Sequence, residues 1–445
     1  MSSSTSNNKL GELVSSISSA AADMSAFCDK LGLGSISSTA PLDIKLTAQN
    51  QPYFTAKAAL VGFAEELIRL VRGPRDHLLA LSFEHCASAS LQIIIKYKLA
   101  SHVPLQGATT CQAIADAVGK PEMQPALVGR IMQHASSYGL FEARPGGAVA
   151  HNAASAMLAT DPDLAAWMNL SATVAYPAGA SLPGALAAYG YSMEADEAAY
   201  GVSIGRRVSQ FQRFREPDGS DLHDMFAGAM RGIAAGGAYD LRHAVDGGYP
   251  WHALEAAEDG HLVVDVGGGS GHVCFALAAR HPRLRFEVQD LPETVAVAER
   301  SCPAELRRRI HFRAHDFMTP QPARDDGLGG AEAVAYFCRF ILHDWSDKYA
   351  QRILQGLASA LRPQDRIIVN EAIAPEPNSV DAEKERRMHD RDMLMLMNLN
   401  GRERTMEAFR GLCDSVEPRL KVHEIHHPAQ GELSLIELKR CDATF

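Results

Sequence analysis

From about residue 260 onward, short continuous apolar runs alternate with longer stretches whose apolar residues recur every three or four positions. The runs at 262–266, 284–288, 310–314, 333–338 and 366–370 have the length and composition of strands buried on both faces of a parallel sheet. The stretches between them read as helices; Ile353, Leu354, Leu357 and Leu361, for example, share one face. The period then changes. Residues 420–425 and 433–438 alternate around a Pro-Ala-Gln-Gly turn at 428–431, as two antiparallel strands do. The pattern predicts an α/β fold, a doubly wound sheet finished by an antiparallel hairpin.

Upstream the pattern is helical. Leu91, Ile94, Ile95 and Tyr97 to Leu99 mark one helix, residues 112–119 a short one closed by Gly119, and 127–138 a third. Gly139 to Glu142, a Pro-Gly-Gly turn at 145–147 and Val149 to His151 then complete a winged-helix outline. Residues 1–50 form a Ser-rich arm with an amphipathic stretch between Leu10 and Leu33. The expected division is arm 1–50, winged-helix-like domain 51–165, helical connecting region 166–250 and catalytic domain 251–445. At 445 residues, nearly half of them apolar, the chain can bury more than one core. A net charge of −10 argues against nucleic acid or an anionic membrane as partner. The helix at 127–138 carries only Arg130 as a cation, so the winged helix is expected to act as scaffold and dimerisation domain rather than bind DNA. Eight cysteines with no C-x-x-C pair fit reduced thiols and a cytoplasmic location. Neither a secretory signal nor an apolar run of the ~20 residues of a membrane span is evident.

The first of the strands bears the most informative motif. Leu262-Val263-Val264-Asp265-Val266 breaks into Gly267-Gly268-Gly269-Ser270-Gly271 and feeds a helix, and Asp290 ends the next strand. Glycines let the backbone take positive φ and a ligand lie against it, and an acid about 20 residues on suits two ribose hydroxyls. A dinucleotide fingerprint would need a third glycine where His272 stands. The pattern is instead acidic-x-G-x-G-x-G, from Asp265 through Gly267, Gly269 and Gly271. It suits a nucleoside cofactor that brings no phosphate, such as S-adenosylmethionine.

A second constellation follows the fourth strand. His343, in Arg339-Phe340-Ile341-Leu342-His343-Asp344-Trp345, falls just past a strand end on the cofactor side, where a histidine can serve as general base. Such a base needs an acid to fix its tautomer and stabilise the imidazolium, and Glu371 and Glu403 are both candidates. The histidines 423, 426 and 427 lie on a predicted hairpin whose alternate residues face opposite ways, so no metal site is expected.

These motifs, with Gln289-Asp290-Leu291-Pro292, His315-Asp316-Phe317 and Gly401-x-Glu403-Arg404-Thr405, occur in an order and spacing that resemble the S-adenosylmethionine-dependent O-methyltransferases of plant and fungal secondary metabolism, most closely the fungal branch. The likeness covers about residues 85 to 440. It implies a Rossmann-like class I methyltransferase sheet and a winged-helix-like N-terminal dimerisation domain. By the same likeness Asp265, Gly267, Gly269 and Gly271 would hold the amino-acid end and ribose, Asp290 and Leu291 the ribose side, and Asp316 and Phe317 the adenine. Arg339 falls where plant members often carry lysine near adenine. His343 would take the proton of the acceptor hydroxyl, oriented by Glu371 and Glu403. Phe226 and Met230 on one helix, and Met393, Met397 and Asn398 on a later one, would face a hydroxylated aromatic or polyketide acceptor. The resemblance also implies a homodimer. Some fungal proteins of this kind keep the cofactor as a fixed charge for dehydration or pericyclic ring formation, and a non-catalytic cofactor-binding regulator is a third reading; all three share cofactor binding.

Overall fold

The computed structural model describes residues 8–34, 36–37, 44, 48–256, 260–323, 333–377, 379–428 and 431–442. Ala429 and Gln430 of the expected hairpin turn, and the beginning of the Ser-rich arm, lie outside the described residues. The chain forms two compact units: 1–176 with 228–232 and 377–387, and 177–227 with 233–376 and 388–445. The region 166–250 therefore does not stand by itself; it is shared between the two.

In the first unit, three short strands, β1 (Ala108–Thr110), β2 (Glu142–Arg144) and β3 (Ala148–Ala150), form an antiparallel sheet in the order β1-β3-β2. The helices Glu84–Lys96, Cys111–Val118 and Pro125–Ser137 pack around Ile94, Leu99, Ile114, Val128 and Met132. This is the winged-helix outline. Gly119 ends the middle helix at φ +63°, the left-handed cap that glycine supplies without strain. The preceding helix, Gln51–Ser82, bends at Gly73-Pro74. Its apolar residues include the exposed Leu78, Leu79 and Leu81, and Phe83 just beyond is exposed as well. The helical stretch Gln51–Lys96 is long and apolar enough to cross a membrane by length and composition, which the sequence reading did not anticipate. The interruptions by charged residues hide it from a search for one unbroken apolar run.

The second unit holds a seven-stranded sheet in the order β6-β5-β4-β7-β8-β10-β9. Its strands are β4 (Leu262–Val266), β5 (Arg285–Asp290), β6 (Ile310–Ala314), β7 (Val334–Arg339), β8 (Arg366–Glu371), β9 (Leu420–His426) and β10 (Ser434–Arg440). The first five are parallel, and β10 runs antiparallel to both β8 and β9. Alternation along each strand explains why the runs are apolar throughout. Val264, Val266, Tyr336 and Val369 pack on one face with Ile353, Leu354 and Leu357 of the helix Asp347–Ala360. Val263, Phe286, Phe337 and Ile368 pack on the other with Trp251, Leu254 and Leu277. Both faces are covered, so neither register position tolerates a polar side chain without a partner. The strand order reverses direction at β4, with β5 on one side and β7 on the other, which opens a crevice at the carboxyl ends of these strands.

Candidate active site

The glycine turn after β4 is built by backbone hydrogen bonds. The N–H groups of Gly267 and Gly268 donate to the Gln289 carbonyl at 2.8 and 3.0 Å, and Gly269 N–H donates to Asp290 Oδ2 at 2.8 Å. Gly267 lies at φ +69°, a left-handed backbone that glycine adopts without strain, and a Cβ there would press on the tip of the Ile341 side chain. Gly269 lies at φ +56° with nothing within 4 Å of where a Cβ would stand, leaving its surface open to a ligand. Gly271 then caps the helix His272–Arg280.

Asp290 also accepts from Leu291 N–H at 2.7 Å. Burial raises its pKa against these two bonds, and each carboxylate oxygen retains lone-pair capacity for a further donor. Asp316 follows β6 and is exposed; Phe317 next to it meets Trp345 edge-on, with centroids 6.0 Å apart. Asp265 sits differently from these. It is buried beneath the turn with Cys274 Sγ 3.6 Å from its Oδ2, and burial, reinforced by Asp290, raises its pKa to about 7. It packs under the loop and braces it. Arg339 donates to the Tyr239 carbonyl at 2.7 Å and to Asn370 Oδ1, and its guanidinium lies 4.9 Å from the Phe340 ring centre. Burial lowers its pKa to about 10. These features fit a nucleoside cofactor without phosphate: an open glycine backbone, a half-buried carboxylate at the end of the next strand and an exposed acid beside an aromatic ring.

The second constellation converges on His343. Its Nδ1 is 2.8 Å from Glu403 Oε1, its Nε2 is 3.4 Å from Asp344 Oδ1, and its ring stacks on Phe340 with centroids 5.2 Å apart. Burial disfavours the imidazolium, but the charges of Glu403 and then Asp344 outweigh it and raise the pKa to about 9. The same pairing, helped by Arg391, holds Glu403 at about 2 despite burial. Burial pushes Asp344 the other way, to about 7. The two candidate partners of the histidine thus part company. Glu403 holds the ring, whereas Glu371 Oε1 accepts from the backbone N–H groups of Ile341, Leu342 and His343, at 3.1, 2.5 and 3.2 Å. The His343 loop is further stitched to the Glu403 loop. Arg402 N–H donates to the His343 carbonyl at 2.9 Å, and a Cβ on Gly401 would fall 2.3 Å from that carbonyl oxygen.

Sequence reasoning passed over several neighbours. Arg404 is buried and donates to the carbonyls of Leu342 and Trp345, each at 2.7 Å, and to Asp347. Arg391 donates to Glu403 at 2.5 Å. An aromatic wall runs from Trp345 through Phe211, 5.8 Å away and stacked, to Phe226 and Phe214. Phe226 is thereby linked to the base loop. Among the other expected acceptor residues, Asn398 is buried, Met397 is half-buried with its sulfur beside Gly179, and Met393 is 45 % exposed on the far side of its helix. Met230 groups with the first unit.

The comparisons with known proteins agree with this geometry. The model of the O-methyltransferase domain matches residues 254–416. O-methyltransferase CTB2 of Cercospora beticola is 61 % identical over 432 residues, covering 97 % of this chain and 93 % of its own. The chain belongs to the S-adenosylmethionine-dependent O-methyltransferases of fungal secondary metabolism. Solved structures of the same fold include OxaC in complex with sinefungin and meleagrin (TM-score 0.73, 20 % identity, 96 % of this chain and 99 % of that one). Another, described as a pericyclic reaction enzyme, has TM-score 0.72 and 20 % identity, covering 96 % of this chain and all of its own. The O-methyltransferase fold thus hosts both chemistries, and at this identity the likeness speaks for the fold alone.

Proposed function

We propose that this O-methyltransferase methylates a hydroxyl of an aromatic or polyketide-type metabolite, with His343 as general base. The observation that carries the reading is the buried 2.8 Å contact of His343 with Glu403, on a loop beside the glycine turn. When bound, S-adenosylmethionine supplies an electrophilic methyl group. Gly267, Gly269 and Gly271 receive its amino-acid end and ribose, Asp290 and Leu291 the ribose hydroxyl side, and Asp316 and Phe317 the adenine. His343 accepts the acceptor's proton at Nε2, while Nδ1 keeps its bond to Glu403. The aromatic wall of Phe211, Phe226 and Trp345 supports a flat acceptor. A phenol with pKa near 10 is protonated at pH 7, so removing its proton during attack is worth about 10²–10⁴-fold.

Incubation with methyl-labelled S-adenosylmethionine and a panel of phenols and aromatic polyketides tests the reaction. Label in the product supports it; conversion of an acceptor without label transfer would point to cofactor-assisted pericyclic or dehydration chemistry instead. Asp290→Asn is expected to weaken cofactor binding about tenfold or more by calorimetry, since an amide keeps only one acceptor oxygen for the ribose hydroxyls. Unchanged affinity would remove Asp290 from that role. The pH profile supplies another check. Only neutral imidazole can take a proton, and burial is overruled by Glu403 and Asp344 so that His343 titrates at about 9. The acceptor kcat/KM at low cofactor concentration should therefore rise with pH from 6 towards 9. A profile flat over that range would argue against His343.

The exposed Leu78, Leu79, Leu81 and Phe83 are proposed to lie against a second copy of the chain. Sedimentation equilibrium should give twice the 48.1 kDa chain mass, and Leu78→Glu with Leu81→Glu should return it to one chain. A wild-type monomer would dispose of the idea.

A further inference from the structure

Glu403 is shared. Its Oε1 lies 2.8 Å from His343 Nδ1 and accepts from Arg391 Nε–H at 2.5 Å, while its Oε2 is buried with no hydrogen-bond partner. Arg391 belongs to the helix Ala382–Leu399 and falls on its buried face with Met388, Met395 and Asn398. Its guanidinium does not form the two-pronged pair that arginine usually makes with a carboxylate. It is drawn aside instead: the guanidinium lies 5.0 Å from the Tyr239 ring centre, NH2 rests 3.1 Å from the Met388 sulfur, and NH1 stands 3.9 Å from Glu432 with no hydrogen bond. Tyr239 itself donates to Glu432 at 2.9 Å, which fixes the far end of the arrangement.

We propose that Arg391 is a positioning residue that sets the proton affinity of His343 through Glu403. A forked pair would take both oxygens of Glu403 and withdraw it from the imidazole. With no arginine, Glu403 would give its whole charge to the imidazole, and the histidine would hold its proton more tightly still. Sharing one oxygen places the pair between these limits. The groups facing it come from several elements: Asp344 and the Glu371 carboxylate beside the base loop, Arg404 near Glu371, and Glu432 and Tyr239 behind Arg391. Among the described residues, Arg391 is the cation hydrogen-bonded to Glu403. The inference rests on the proposed base role of His343, but its test does not need turnover.

The test is an NMR titration of the full-length protein carrying ¹³C at histidine Cε1, with His343 assigned by its loss in His343→Asn. Arg391→Met should raise the His343 midpoint by about one pH unit, because one cation is removed from beside its counter-ion. Arg391→Lys should bring it at least halfway back. Glu432→Gln should move it the other way, to lower pH, since an anion behind Arg391 is lost. If Arg391→Met does not fold, the Glu432→Gln shift decides. A His343 midpoint within about 0.2 unit of the wild type in Glu432→Gln, or in Arg391→Met where it folds, overturns the proposal. Loss of turnover in His343→Ala is a separate measurement, so failure of the base assignment and failure of the tuning role remain distinct.

Discussion

Replacing His343 by alanine is expected to lower turnover by about 10²–10⁴-fold while S-adenosylmethionine affinity changes less than about threefold. The split follows from where the groups stand. The cofactor features, Gly269 and Asp290, are bonded to one another and to Gln289 and Leu291, and none of these bonds involves the imidazole. Removing the ring does leave Glu403 without one donor, but Arg391 still reaches the same oxygen at 2.5 Å, so the buried carboxylate keeps a counter-charge and the fold should survive. The backbone N–H groups of Ile341 and Leu342 donate to the Glu371 carboxylate, and these bonds are also retained. Rapid-quench turnover together with calorimetry checks both halves. A loss of turnover smaller than tenfold, with cofactor binding intact, would leave the proton to another group or to solvent.

Arg404→Met is expected to cost stability through the loop that carries His343, with no change to the aromatic wall. The guanidinium is 1 % exposed and is the partner of two main-chain carbonyls, those of Leu342 and Trp345, which flank the base. Methionine fills much of the volume but donates nothing. The Leu342 carbonyl keeps the Trp345 N–H at 3.2 Å, but the Trp345 carbonyl loses the Arg404 donor, so a loss of about 1–3 kcal/mol is expected against a total of about 5–15 for a folded domain. Asp347, the third partner, is 41 % exposed and can turn to water, so it adds little. Lysine at this position would restore the charge without the fork and should recover only part of the loss. Chemical denaturation of the pure proteins measures it. A change under about 1 kcal/mol would mean that the loop holds itself.

Much of this was legible in the amino-acid order because burial on both faces leaves little ambiguity. The runs at 262–266 and 310–314 have the bounds of β4 and β6, and the other parallel strands differ by one or two residues at an end. β10 was read short. Its pattern stops being apolar after Leu438, yet the strand continues to Arg440, because Glu437 and Lys439 are buried together as an ion pair beside Tyr249. The glycine turn, Asp290 and the histidine loop could be found because each couples an unusual residue to a strand end. Arg391 could not be found that way. A charged residue amid Glu, Lys, Arg and Asp on a helix looks like a solvated face, and only its spacing from Met388, Met395 and Asn398 hinted that it points inward. Glu371 and Glu403 could not be told apart in sequence, since one bonds amides and the other a ring, a distinction of direction rather than of residue type.

The stitch between the base loop and the Glu403 loop separates two kinds of evolutionary freedom. Because Arg402 N–H meets the His343 carbonyl and Gly401 leaves no room for a side chain against it, the spacing of base and acid is set by main chain rather than by the residues around them. Phe211, Phe214 and Phe226 come from other segments and reach the His343 loop through the stacking of Phe211 on Trp345. Exchange of those rings would reshape the site while leaving the main-chain stitch in place.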